Sequence, residues 1–161
     1  MREMFAGEYA CKLDEKGRFS VPASLRDAFR LSSPGSARRA VLVKSPRERC
    51  LWLLPVPHWH ALLDLQRQRL NDGESRLFMH HMLYDLVEIE MDRAHRFLVP
   101  RRLREHIGAC SDVALVGMYD HLEVWDGKAW SRHVAALEEE HKTTLGDVLR
   151  MPSLAPAFTA A

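Results

Sequence analysis

The sequence predicts an α+β fold, mostly β with added helices, built as two pseudo-symmetric copies of one unit. Three observations predict it. The stretch Leu13 to Pro22 returns 78 residues later as Met91 to Pro100, and the windows extended to Arg26 and Arg104 share seven of fourteen residues in register. Each copy is followed by two short apolar runs of the kind that form strands. Each copy then enters a helix-patterned segment with a tryptophan in the same place, Trp59 and Trp130. An internal repeat of this quality has to be explained before anything else.

The elements follow in order. Glu8 to Leu13 and Arg18 to Val21 alternate as strands around a tight turn. Asp14 suits the first position of a type I turn, where its carboxylate accepts from backbone N–H groups ahead of it. Gly17 suits the left-handed position that closes a three-residue hairpin with a G1 bulge. Pro22 fits the first turn of a helix, where its missing N–H would be unpaired anyway. Leu25, Ala28 and Phe29 give that helix one apolar face, as Leu103 and Ile107 do in the second copy. Leu31 to Ser36 is a loop, Ala40 to Val43 and Cys50 to Leu54 are strands, and Lys44 to Arg49 is a basic connection between them. The second copy repeats this as Val113 to Val116 and Leu122 to Trp125.

Trp59, Leu62, Leu63 and Leu70 mark an amphipathic helix, broken at Asn71-Asp72-Gly73, and Met79, Leu83 and Leu86 mark the next. Trp130, Val134, Leu137 and His141 line one face of a long C-terminal helix. The tail Met151 to Ala161 has no periodicity and is expected to be disordered. The expected division is a first repeat at 8–57, connecting helices at 58–86, a second repeat at 87–130, and a C-terminal helix and tail at 131–161.

Asp-x-x-x-Arg twice, each followed by an apolar strand and Val-Pro-x-x-Leu-Arg, resembles the MraZ family of bacterial transcriptional regulators. Met4-Phe5-Ala6-Gly7-Glu8-Tyr9 is similar to that family's N-terminus, which would make Met1 to Glu3 an extension or an upstream start. The resemblance covers residues 4 to 145. It implies two AbrB-like swapped-hairpin β-barrel repeats with peripheral helices, binding double-stranded DNA at promoter repeats and assembling into a ring-like homo-oligomer. It also implies action at a division and cell-wall gene cluster that includes the protein's own gene, and a nucleoid-associated location. One departure stands out: His95 occupies the place of Gly17.

Composition is permissive. The chain of 161 residues is 47% hydrophobic and 28% charged, as a soluble globular protein is, with a net charge of +1. No apolar run reaches the length of a membrane span and the N-terminus does not begin a signal peptide, so a cytoplasmic protein is expected. The window Arg93 to Arg104 holds five arginines and no acid, a local basic patch compatible with DNA. Three cysteines, Cys11, Cys50 and Cys110, lack disulfide or ligand spacing and read as small core residues. Nine histidines form no recognisable metal set, and no phosphate loop or carboxylate pair is present. No catalytic residue, metal, cofactor or small-molecule substrate is expected.

The candidate DNA-binding residues are Lys16, Arg18, Arg26, Arg93, Arg96 and Arg104, shaped by the turn residues Asp14, Gly17, Asp92 and His95. Arginine's planar fork suits phosphates and base edges. The plainer reading of Arg18 and Arg96 is a local ion pair with Asp14 and Asp92, at most about 1 kcal/mol if exposed; the two roles are compatible. Lys16 and Arg93, within the turns, read as phosphate contacts or as ordinary solvated charges. Arg26 and Arg104 read as an extension of the basic surface or as a solvated helix face. Arg101 and Arg102 replace Ala23 and Ser24, so the two copies need not grip DNA equally. The competing function is a ring-forming scaffold without specific DNA binding.

Overall fold

The computed structural model describes residues 4–109 and 111–142. The expected extension Met1 to Glu3, Cys110 and the tail lie outside the described residues. In chain order the first repeat gives β1 (Glu8–Lys12), β2 (Arg18–Ser20), α1 (Ala23–Ser32), β3 (Arg39–Lys44) and β4 (Leu51–Pro55). Two helices follow, α2 (Val56–Arg69) and α3 (Asp72–Tyr84). The second repeat gives β5 (Val87–Glu90), β6 (Arg96–Leu98), α4 (Arg101–Ile107), β7 (Asp112–Gly117) and β8 (Leu122–Asp126), with α5 (Gly127–Glu140) after it.

The turn forms as the residue types require, but the strands it joins do not stay together. Asp14 N–H donates to the Arg18 carbonyl and Gly17 N–H to the Asp14 carbonyl, each at 2.9 Å, which is the bulged three-residue turn. Beyond it β1 pairs with β7 and β2 with β6. The six-stranded antiparallel sheet runs β1-β7-β8-β4-β3-β5, with β2 and β6 as a separate ribbon. Exchanging the repeats maps this order onto itself. The ladder is open, with β1 and β5 as its two edges. Each repeat's first strand lies against the other repeat's third strand, so neither repeat completes its sheet alone.

Burial explains the exchange. Phe19 and Phe97 face each other at the centre of the β2–β6 ribbon and are 1% and 0% exposed. Phe29 from α1 packs edge-on to Phe97 at 5.5 Å and to Phe5 at 4.9 Å. With Leu25, Leu103, Leu42, Leu53, Leu115 and Val124 they form one core between the ribbon, α1, α4 and one face of the sheet. The opposite face of β3 and β4 presents Val41, Val43 and Leu54 to Trp59 of α2 and Met82 of α3. β3 is therefore apolar at successive positions because both of its faces are covered.

Two local expectations are refined. Pro22 is the residue before α1, with extended backbone (φ −54°, ψ 145°), and so is Pro100 before α4. Asn71 does more than interrupt: its side chain accepts from Glu74 N–H at 2.9 Å while Glu74 reaches back to Asn71 N–H at 3.3 Å, a capping box that starts α3. Cys50 is fully buried and Cys11 half-buried. Among the described residues no helix is long and apolar enough to cross a membrane.

Candidate nucleic-acid interface

The two turns are chemically the same device. The Asp14 carboxylate accepts from Lys16 N–H and Arg18 N–H, both at 2.9 Å, and from Arg18 Nε at 2.7 Å. The Asp92 carboxylate accepts from Ala94 N–H, Arg96 N–H and Arg96 Nε, all at 2.9 Å. The backbone N–H of the arginine, foremost, and its charged side chain hold each carboxyl below the usual carboxylate range. The motif is thus an internal clamp: an aspartate fastens the turn backbone and the first residue of the next strand.

Arg18 and Arg96 are consequently ion-paired, with 28% and 33% of their side chains exposed. That pairing consumes Nε, one of the five N–H donors of a guanidinium. Pairing therefore fixes their orientation without excluding a second contact. Lys16 and Arg93 are exposed on the turns. They are not equivalent positions: Lys16 corresponds to Ala94, and Arg93 to Glu15.

The left-handed residue lies next in each turn. Gly17 has φ 85° and His95 has φ 59°, so His95 does adopt the conformation that glycine takes in the first copy. Each also ties the repeats together: the Gly17 carbonyl accepts from Val99 N–H at 2.8 Å, and the His95 carbonyl from Val21 N–H at 2.9 Å.

Arg26 and Arg104 are half-buried, which a freely solvated helix face would not be. Arg26 Nε donates to the Val21 carbonyl at 2.8 Å. Arg104 crosses the first turn so closely that a Cβ on Gly17 would lie 2.6 Å from its Nε and 2.7 Å from its Cζ. All six sequence-predicted basic residues therefore lie on the two turns, at the start of the strand after each, or on the helices behind them, with Arg104 against the first turn and Arg26 beside His95 of the second. Arg101 pairs with Glu105 at 2.9 Å.

Some polar residues escape sequence reasoning because distant strands and helices assemble them. Asp85, with 6% of its side chain exposed, lies 2.6 Å from Lys44 Nζ and 2.8 Å from Arg102 Nε, and the Arg102 guanidinium stacks on the Tyr84 ring at 4.9 Å. Glu48, Cys50 and Glu123 bring one ligand-type atom each within 4.8 Å of one another. Glu123 also accepts from Trp125 Nε1 at 2.7 Å and Glu48 from the Ser45 hydroxyl at 3.2 Å. Burial, then the Glu123 charge, pushes the Cys50 thiol far above its usual range, so it stays protonated. Arg30 and Arg38 join Arg26 and His95 around a cavity of about 390 Å³.

The MraZ protein family model matches residues 4–80 and 82–147. A transcriptional regulator MraZ of Idiomarina loihiensis is 35% identical over 157 residues, covering 94% of this chain and 100% of that protein. Transcriptional regulator MraZ of Clostridium beijerinckii is 33% identical over 131 residues, 81% of this chain and 87% of the relative. The Escherichia coli O127:H6 protein of the same name is 31% identical over 146 residues, 90% and 94%. With its duplicated turn and the two repeats carried in one chain, this protein belongs to the MraZ family of transcriptional regulators.

Proposed function

We propose that the protein binds double-stranded DNA sequence-specifically through its two clamped turns, with Arg18, Arg96, Lys16 and Arg93 as the contacting residues and Arg26 and Arg104 as their support. The observation that carries this reading is the duplicated clamp. It holds an arginine at the base of each turn with its Nε fixed by aspartate and leaves a basic residue exposed on the turn itself. Such preorganisation lowers the entropy lost when a long side chain meets a phosphate or base edge.

The proposed working form is a ring-like homo-oligomer that places several such repeats on repeated DNA sites at the promoter of a division and cell-wall gene cluster, its own gene included. Weak modules then gain through effective concentration. The exposed Leu77, Leu83 and Tyr84 of α3 supply an apolar surface for such assembly. The two repeats act as tandem DNA-facing modules, with α2 and α3 as the connecting part.

A mobility shift at a stated salt concentration, comparing the protein's own upstream region with a scrambled duplex, tests this. Wild type is expected to favour the upstream duplex, and Arg18→Ala and Arg96→Ala to weaken binding while remaining folded. Equal affinity for both duplexes would leave a scaffold whose DNA binding is incidental.

A further inference from the structure

We infer that the cavity beside the second turn is a binding site for a phosphate group, and that the substitution of His95 for glycine is part of it. The cavity, about 390 Å³, is an open cleft lined by α1, by the segment leading into β3 and by the second turn. Three guanidinium-bearing residues line it, Arg26, Arg30 and Arg38, together with His95. Its one acid, Asp27, is already engaged by Arg30 at 3.5 Å. Among the described residues, the remaining wall, Ala23, Ala37 and Met91, brings no further carboxylate to neutralise the arginines.

Two features separate this from a solvated basic surface. Arg26 is half-buried and anchored through Nε on the Val21 carbonyl, so its guanidinium is presented in a fixed place. Arg38 is tied at its carbonyl by Met91 N–H at 2.7 Å, which fixes the backbone on the facing wall. A cleft lined by one sign of charge between low-dielectric walls concentrates the opposite ion. Arginine forks match phosphate better than a single carboxylate, because each can donate two parallel hydrogen bonds. The volume lies within the range of small-ligand sites and exceeds the needs of a monatomic ion.

The other repeat keeps the counterpart of Arg26 but not that of Arg30. There Arg104 lies across Gly17, and Gly108 stands in the place of Arg30. The repeat breaks its own pattern at His95, and the cavity lies at that break. A phosphate of this chemistry has two sources, the backbone of bound DNA or a small phosphorylated molecule. The inference holds for either and does not depend on the DNA-binding reading.

Calorimetry of pyrophosphate binding to the full chain, with Arg30→Ala and Arg38→Ala as site variants and Arg69→Ala as a basic control outside the cavity, tests the site. All three positions are exposed, and unchanged melting curves verify the fold. Each site variant is expected to weaken pyrophosphate about tenfold or more, as loss of a charged hydrogen bond does, with the control unchanged. No binding by wild type, or equal affinity in site variants and wild type, overturns the inference. So does a control weakened as much as the site variants. With the site supported, displacement of pyrophosphate by a saturating duplex assigns the phosphate to the DNA backbone, and retention assigns it to a small molecule. Pyrophosphate binding without any duplex binding would uphold the site and refute the DNA reading.

Discussion

Asp14 and Asp92 each receive three hydrogen bonds, two from backbone and one from the arginine they pair with. Because folding lowers the pKa of each carboxyl, the stabilisation is fully present above the unfolded value near pH 4. It is lost as pH falls through the lowered folded value. Asp92→Asn is therefore expected to be less stable than wild type at pH 7, with the difference shrinking as pH falls toward 2. Denaturant titrations at both pH values measure this. A difference independent of pH would assign the loss to geometry rather than to charge.

The left-handed residue gives a second contrast at the same scale. Gly17→Ala is expected to cost about 1–3 kcal/mol, because φ 85° disfavours a side chain and Arg104 fills the space the methyl would need. His95→Gly removes a residue held at φ 59° and is expected to raise stability by about 1 kcal/mol or less, glycine's greater unfolded entropy offsetting part of the gain. Thermal melts of the two variants should move in opposite directions.

Among the elements, the strands of the β2–β6 ribbon are the shortest, and each buries its central phenylalanine, Phe19 or Phe97. Phe97→Ala would empty a position that touches both Phe19 and Phe29 and should cost about 3–5 kcal/mol by equilibrium unfolding. A loss below about 1 kcal/mol would mean that the ribbon is not part of the core. The turn was legible in the sequence because aspartate, glycine and their spacing act over a few residues. The apolar faces of α1, α4 and α2 were legible because helix periodicity is local as well. Strand partners were not: Glu8–Lys12 and Arg18–Ser20 adjoin one turn, yet each ladder forms with a strand roughly a repeat away. Nothing within a few residues encodes that choice; burial of Phe19 against Phe97 does. The half-buried state of Arg26 and Arg104 was hidden for the same reason, since Arg104 is covered by a turn from the other repeat.

At the scale of the molecule, the interleaved sheet makes two repeats into one folding unit through Gly127, so a single repeat has no complete sheet of its own. α3 buries Met82 against β3 and β4 and leaves Leu77, Leu83 and Tyr84 exposed. Light scattering at micromolar concentration is expected to give a species several times the 18.5 kDa chain. A clean monomer would remove the proposed gain from multivalency.

The central claim is that the clamped turns meet DNA, and the salt dependence of binding tests it most directly. The slope of log K against log salt for the upstream duplex should be compared between wild type and the double variant Lys16→Ala/Arg93→Ala. The double variant is expected to bind more weakly, with a slope flattened by about one unit for each phosphate contact removed. Parallel lines of equal affinity from a folded variant would contradict it.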